Sequence, residues 1–213
     1  VVHVITGLKT GGAERMLTKL ACCSPKEEYN NVVISLTGRG SQSIILEDND
    51  ISLFHINIKK NIFSFIIGFI KLYKILKMNN PIILMGWMYH ANLVIYLMKF
   101  FLGNKISYVW NIRHTPVNLE SETFLTSYLI KIKSYLSSQV DKIIYNSNKS
   151  KSYHEGIGYS KKNGIVIPNG FDGKIFKISS KIKLKKRKIY NIGANDIVFG
   201  HFARFHPMKN HKM

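Results

Sequence analysis

Apolar positions along this chain fall into two alternating rhythms. Short runs with no polar face occur at Val1–Ile5, Val32–Leu36, Ile51–Ile56, Ile82–Met85, Ile106–Ile112, Lys142–Tyr145 and Gly164–Ile167. Each has the length of a buried strand. Between them the apolar residues recur at helical spacing over Met16–Ala21, Ser41–Asn49, Phe63–Met78, Ala91–Phe101, Thr123–Ser138 and Asn148–Glu155. In Thr123–Ser138 the expected inward positions are Leu125, Tyr128, Leu129, Ile132 and Leu136. Strands that alternate with helices and are apolar on both faces predict an α/β protein: a parallel sheet with helices on both faces.

Such sheets bind ligands at the carboxyl ends of their strands. The loops expected to matter are therefore Thr6–Glu14, Gly86–His90 and Arg113–Leu119. The first contains Gly11 and Gly12 between an apolar strand and a helix. Glycines let the backbone approach a ligand, and a helix N-terminus offers unpaired N–H groups to an anion. The same pattern also serves as a plain tight turn.

The pattern changes after Phe176. Lys177–Lys188 is strongly basic and lacks a sustained apolar face, whereas Ile197–Ala203 again has the look of a buried strand. The expected organisation is a first domain over 1–172, a basic linker over 173–196, and the opening of a cut-off second domain over 197–213.

Charge narrows the partners. The 213 residues include 31 Lys and Arg against 12 Asp and Glu, a formal charge of +19. That balance points to nucleic acid, an anionic membrane face or phosphorylated substrates. A wealth of Lys, Ile and Asn is equally what an AT-rich coding sequence yields. The run Lys181–Lys188 suits either a polyanion or a solvated linker, and it lacks the interleaved aromatics that stack bases. The two cysteines, Cys22 and Cys23, are sequence neighbours and a poor disulfide pair. No signal-peptide pattern and no apolar run of membrane-spanning length occurs, so a cytoplasmic location is expected.

Candidate chemistry lies at the strand ends. His114 directly follows the fifth strand, where it would either contact a substrate or cap a backbone group. Trp87, Tyr89 and His90 follow the fourth, and aromatic faces suit a sugar ring as well as they suit packing under a helix. Arg204 and Lys209 flank His206 after the last apolar run, a pair suited to a diphosphate or to plain surface charge. Nucleophile-elbow, zinc-helix and Walker patterns are absent from the sequence. The first loop also departs from the dinucleotide fingerprint, because the second strand ends in Leu36-Thr37-Gly38 without an acid for a ribose.

Five segments together resemble the retaining glycosyltransferases of family 4, which have the GT-B architecture. They are Thr10-Gly11-Gly12-Ala13-Glu14-Arg15, Trp87-Met88-Tyr89-His90-Ala91-Asn92, Arg113-His114-Thr115, Ile167-Pro168-Asn169-Gly170-Phe171-Asp172 and Ala203 to His211. The resemblance implies two Rossmann-like halves with the active site between them, the first half holding the acceptor and the second a nucleotide-diphosphate sugar. It implies that Gly11 and Gly12 face the donor diphosphate and reacting sugar and that His114 touches the donor sugar. It implies that Arg204 and Lys209 neutralise the leaving group. Trp87, Tyr89, His90 and Arg113 are the acceptor-side candidates, and Pro168-Asn169-Gly170 matches the hinge. Cations aimed at the departing diphosphate would lower the barrier without a metal, and no Asp-x-Asp motif is present. Neither a cofactor nor a metal is therefore expected.

The family's paired-glutamate motif, which holds the donor, does not occur before Met213. The expectation is a fragment, a truncated product or half of a split enzyme, inactive alone. The expected acceptor is a lipid-linked or cell-surface glycan. Lys59, Lys60, Lys71, Lys74 and Lys77 beside Phe63, Phe65, Ile66 and Phe69 suit an anionic membrane face, or a core helix with a solvated lysine side. The competing classes are a non-catalytic glycolipid-binding module and a polyanion-binding protein.

Overall fold

All seven strands of the first region form, as β1 (Val2–Ile5), β2 (Val32–Ser35), β3 (Ser52–His55), β4 (Ile83–Trp87), β5 (Ser107–Ile112), β6 (Lys142–Tyr145) and β7 (Gly164–Val166). They make one sheet in the order β3-β2-β1-β4-β5-β6-β7, parallel throughout. The connections are α1 (Gly12–Cys23), α2 (Ser41–Asp48), α3 (Ile62–Asn79), α4 (Met88–Leu102), α5 (Phe124–Leu136) and α6 (Asn148–Gly156). This α/β, Rossmann-like sheet is reported by a computed structural model that describes residues 1–116, 119, 123–173, 177, 179–203, 205 and 210–212. Contacts divide the chain into two units, Val1–Asn169 and Gly170–Met213.

Local chemistry sets the element ends. Asn61, Thr123 and Ser147 each cap a helix by accepting a backbone N–H three residues on, which satisfies donors the first turn leaves open. Asn80 closes α3 in the left-handed region at φ 38°. Two buried clusters fill the first unit, one including Val4, Leu84, Tyr108, Trp110 and Ile143, the other including Ile5, Leu17, Val33, Leu46 and Trp87. The strands are apolar on both sides because both faces of the sheet carry a core. Cys22 and Cys23 are both free thiols.

Three expectations change. The segment Gly86–His90 is no loop: β4 runs through Trp87 and α4 begins at Met88, which takes φ 69° to make the corner. The close approach needs Gly86, where a Cβ would lie 2.7 Å from Asn92 Oδ1 and 2.8 Å from its Cα. In α5 the inward face is Leu129, Ile130, Lys133 and Ser134, while Leu125 and Tyr128 are exposed. Lys133 takes a core position on this helix, with its stem and its Nζ both buried.

The third change concerns the second unit. The basic run is helical, α7 (Ser180–Ile189), with Ser179 Oγ accepting from Ile182 N and no buried residue. Ile197–Ala203 forms no strand, and Phe199 and Phe202 are almost fully exposed. A parallel strand is held by a hydrogen-bonded neighbour, and no second strand occurs among the described residues of this unit. Arg204 and Lys209, with His206 between them, lie outside the described residues.

Candidate functional site

Strand order decides which loops meet. β1, β4 and β5 are adjacent, with Ile5 opposite Trp87 and Trp87 opposite Asn111. Their carboxyl ends therefore bring the loop after β1, the β4–α4 corner and the segment Arg113–His114 to one edge of the sheet. Gly11 and Gly12 lie at that edge: Gly11 is the extended N-cap of α1 and no side chain caps it.

The β1 loop is held by its neighbour. Gln42 N donates to Leu8 O at 2.9 Å, and Thr10 Oγ1 and Ser41 Oγ are 2.9 Å apart. A Cβ on Gly40 would fall 2.3 Å from the Leu8 carbonyl, so only glycine allows this contact. The N-termini of α1 and α2 thus sit side by side. An added Cβ on Gly12 would meet nothing within 4 Å, so that backbone is open to approach.

His114 stands over a buried cluster. The Tyr89 hydroxyl lies 3.1 Å from the His114 carbonyl oxygen and 2.8 Å from His154 Nε2. His154 Nδ1 donates to Ser150 O at 2.7 Å, so Nε2 is the acceptor in the neutral ring. Burial holds that ring neutral, with its pKa pushed down to about 4. The amino nitrogen of Lys133 is fully buried, 4.6 Å from the ring centre of Tyr89 and 4.8 Å from that of Trp110. It has no hydrogen-bond partner among the described residues, and desolvation lowers its pKa well below the ordinary value. The aromatic faces offer the partial attraction that an ammonium finds at a π surface.

The other predicted residues divide by exposure. His90 is exposed on the first turn of α4, whereas Trp87 and Tyr89 are buried with their polar atoms turned to core partners. Arg113 is half-buried, and burial draws its pKa down. Its Nε donates to Asn111 Oδ1 at 2.6 Å and its Nη1 to Asn169 Oδ1 at 2.7 Å. The sequence carries no signal for Lys133 or His154, and it marks Asn169 only as part of the hinge match. Lys133 is placed by tertiary packing, and a helix-borne His with a Tyr partner 65 residues away carries no local signal.

Among the described residues no group of three His, Cys, Asp or Glu is placed to hold an ion. A cleft of about 360 Å³ lies at the opposite, amino edge of the sheet, lined by residues including Val1, Tyr29, Asn80 and Pro81. Ligands of parallel sheets bind at the other edge, so the carboxyl-edge loops are the candidate site.

Residues 10–174, well over half of the chain, match the family model described as Glycosyltransferase Family 4. No curated protein sequence matches significantly. Among solved structures, HepE from Anabaena in complex with UDP superposes with a TM-score of 0.81 at 21% identity, covering 99% of this chain and 55% of that one. A glycosyltransferase from Rickettsia africae gives 0.64 at 17%, covering 91% and 50%. The lipopolysaccharide outer core galactosyltransferase WaaB gives 0.60 at 14%, covering 81% and 46%. The chain therefore spans about half the length of these structures, and at such identities they show the fold.

Proposed function

The chain belongs to glycosyltransferase family 4, and we propose that it serves transfer of a hexose from a nucleotide-diphosphate sugar to a lipid-linked or cell-surface glycan, with retention of anomeric configuration. The observation that carries this reading is that the uncapped Gly11–Gly12 turn and His114 lie at the same carboxyl edge of the sheet, after strands separated by β4 alone. A helix N-terminus stabilises the charge of a diphosphate, and a strand-end histidine at that edge suits contact with the sugar. HepE structures in complex with UDP and with UDP-glucose support a nucleotide-sugar donor. WaaB, a lipopolysaccharide galactosyltransferase, supports a lipid-linked acceptor.

Bond breaking leaves negative charge on the diphosphate. In this proposal the N–H groups of Gly12 and the following turn face that charge, and Arg204 and Lys209 take the neutralising role that the family resemblance implies. No metal or cofactor is invoked. Because the chain spans about half of its structural relatives, the activity is proposed for the whole enzyme. The test is transfer of radiolabelled sugar from a panel of UDP-, GDP- and ADP-sugars to an extracted glycolipid, with the chain alone and with a GT-B second half supplied. Transfer from one donor with a retained anomeric bond is expected. An inverted product, or no transfer from any donor in either arrangement, contradicts the proposal.

The acceptor reading extends to the membrane. Phe63, Ile66, Ile67 and Ile70 of α3 are exposed, and so are Lys71, Lys74 and Lys77. No helix among the described residues is long and apolar enough to cross a membrane. An exposed apolar stripe with flanking lysines suits shallow docking on anionic lipid. The proposed location is peripheral, on the cytoplasmic face of the membrane.

A further inference from the structure

Arg113 precedes His114, and its side chain is occupied by protein. Nε donates to Asn111 Oδ1 at 2.6 Å. Nη1 donates to Asn169 Oδ1 at 2.7 Å and lies 3.4 Å from the Ile167 carbonyl. The guanidinium carbon stands 5.3 Å from the centre of the Trp87 ring. That ring is itself fixed, since its N–H donates to His3 Nδ1 and His3 Nε2 lies 3.2 Å from Asn31 Oδ1.

The contacts follow from strand parity. Trp87 pairs with Asn111, Asn111 with Ile144, and Ile144 with Ile165. Side chains two apart share a face, so Trp87, Asn111 and Ile165 lie on one side of the sheet. Arg113, and Ile167 and Asn169, continue that side beyond the strand ends. One planar fork thus gathers the ends of β4 and β5 and the stretch by which the chain leaves its first unit after Asn169. Ile167 N also donates to Tyr145 O at 2.9 Å.

The geometry points to Arg113 as a latch: a positioning residue that ties the exit segment Ile167–Asn169 to the sheet edge beside His114. The latch couples the setting of the His114 backbone to the setting of the segment that carries the rest of the chain. It depends on a charged donor and a side-chain acceptor. A bidentate guanidinium suits that geometry better than an ammonium. This goes beyond sugar transfer and does not rest on it.

The test is amide hydrogen exchange by mass spectrometry on the 213-residue chain, followed on the peptide spanning 164–173, with the β1–β2 peptides as internal reference. R113A and N169L each speed exchange of the 164–173 peptide about tenfold, the scale of one lost charge-assisted bond, and leave the reference peptides unchanged. The double variant R113A/N169L exchanges no faster than either single one, because both break the same contact. N169D keeps the protection, since a carboxylate accepts from the guanidinium, and loses it again in R113A/N169D. R113K restores only part. Unchanged exchange in R113A, or additive effects in the double variant, overturns the latch. Should R113A fail to fold, N169L against N169D decides alone, and equal exchange in those two overturns it.

Discussion

The indole N–H of Trp87 donates to Nδ1 of His3 at 3.2 Å, across the seam between β1 and β4. Both residues are buried. The bond fixes the imidazole as a neutral acceptor on that nitrogen, leaving Nε2 to donate to Asn31 Oδ1. It also holds the indole face on which Arg113 rests. A core pair thus supports a side chain at the functional edge.

Acid should weaken the fold through histidines. Burial lowers the pKa of His3, and that of His154, to about 4 from an ordinary 6.5. The unfolded chain takes up these protons first. Their contribution is complete above about pH 6.5 and is lost as pH falls towards 4, at roughly 3 kcal/mol for each ring. Urea unfolding at pH 7, 5 and 4 should show that loss, and His3→Leu should make the pH slope shallower. An unchanged slope in the variant would show that His3 does not titrate as described.

Lys133 should be a net liability. Its amino nitrogen is buried between Tyr89 and Trp110 without a hydrogen bond among the described residues. Its folded pKa lies below the ordinary 10.5, so the unfolded chain binds the proton that the fold rejects. Lys133→Met keeps the stem volume and removes this cost. The variant should be more stable at pH 7 by about 1–3 kcal/mol, and the gain should shrink as pH rises towards 10.5. Thermal unfolding at pH 7 and pH 10 reads both effects.

Gly86 should not tolerate alanine. An added Cβ would press on Asn92 at 2.7–2.9 Å, including its backbone nitrogen. Gly86→Ala should cost about 1–3 kcal/mol by overpacking at the β4–α4 corner. Gly12→Ala, with nothing within 4 Å, is the control and should cost under about 1 kcal/mol. Denaturant midpoints compare the two.

The exposed stripe of α3 should govern lipid contact. The double substitution Phe63→Glu/Ile67→Glu places acids at two exposed positions and should lower co-sedimentation with phosphatidylglycerol vesicles at least tenfold. Folded secondary structure should persist, because neither side chain is buried. Equal sedimentation of wild type and variant would remove the membrane from the account.

Much of this architecture is legible in the chain. Runs such as Val32–Ser35 have no polar face, and that is enough to specify a strand buried on both sides. The position of His114 follows from β5, since a residue just past a parallel strand must lie at the ligand edge. Partners distant in sequence leave no such trace. Arg113 and Asn169 are 56 residues apart, and only the register from β5 through β7 joins them. The α5 stripe misleads because Lys133 takes a core position, and Ile197–Ala203 because strand character needs a neighbour to pair with. For Trp87 and Tyr89 the chain leaves open a sugar-facing role or packing under a helix, and they are buried with their polar atoms on His3 and His154.

His114 and the Gly11–Gly12 turn are proposed to form one side of a sugar-transfer site. Radiolabelled sugar transfer to glycolipid by the chain supplied with a GT-B second half, comparing wild type with His114→Ala, tests this. Transfer should fall at least about a hundredfold in the variant, on the scale of one lost transition-state contact, with the fold intact by circular dichroism. Transfer by His114→Ala at the wild-type rate would contradict it.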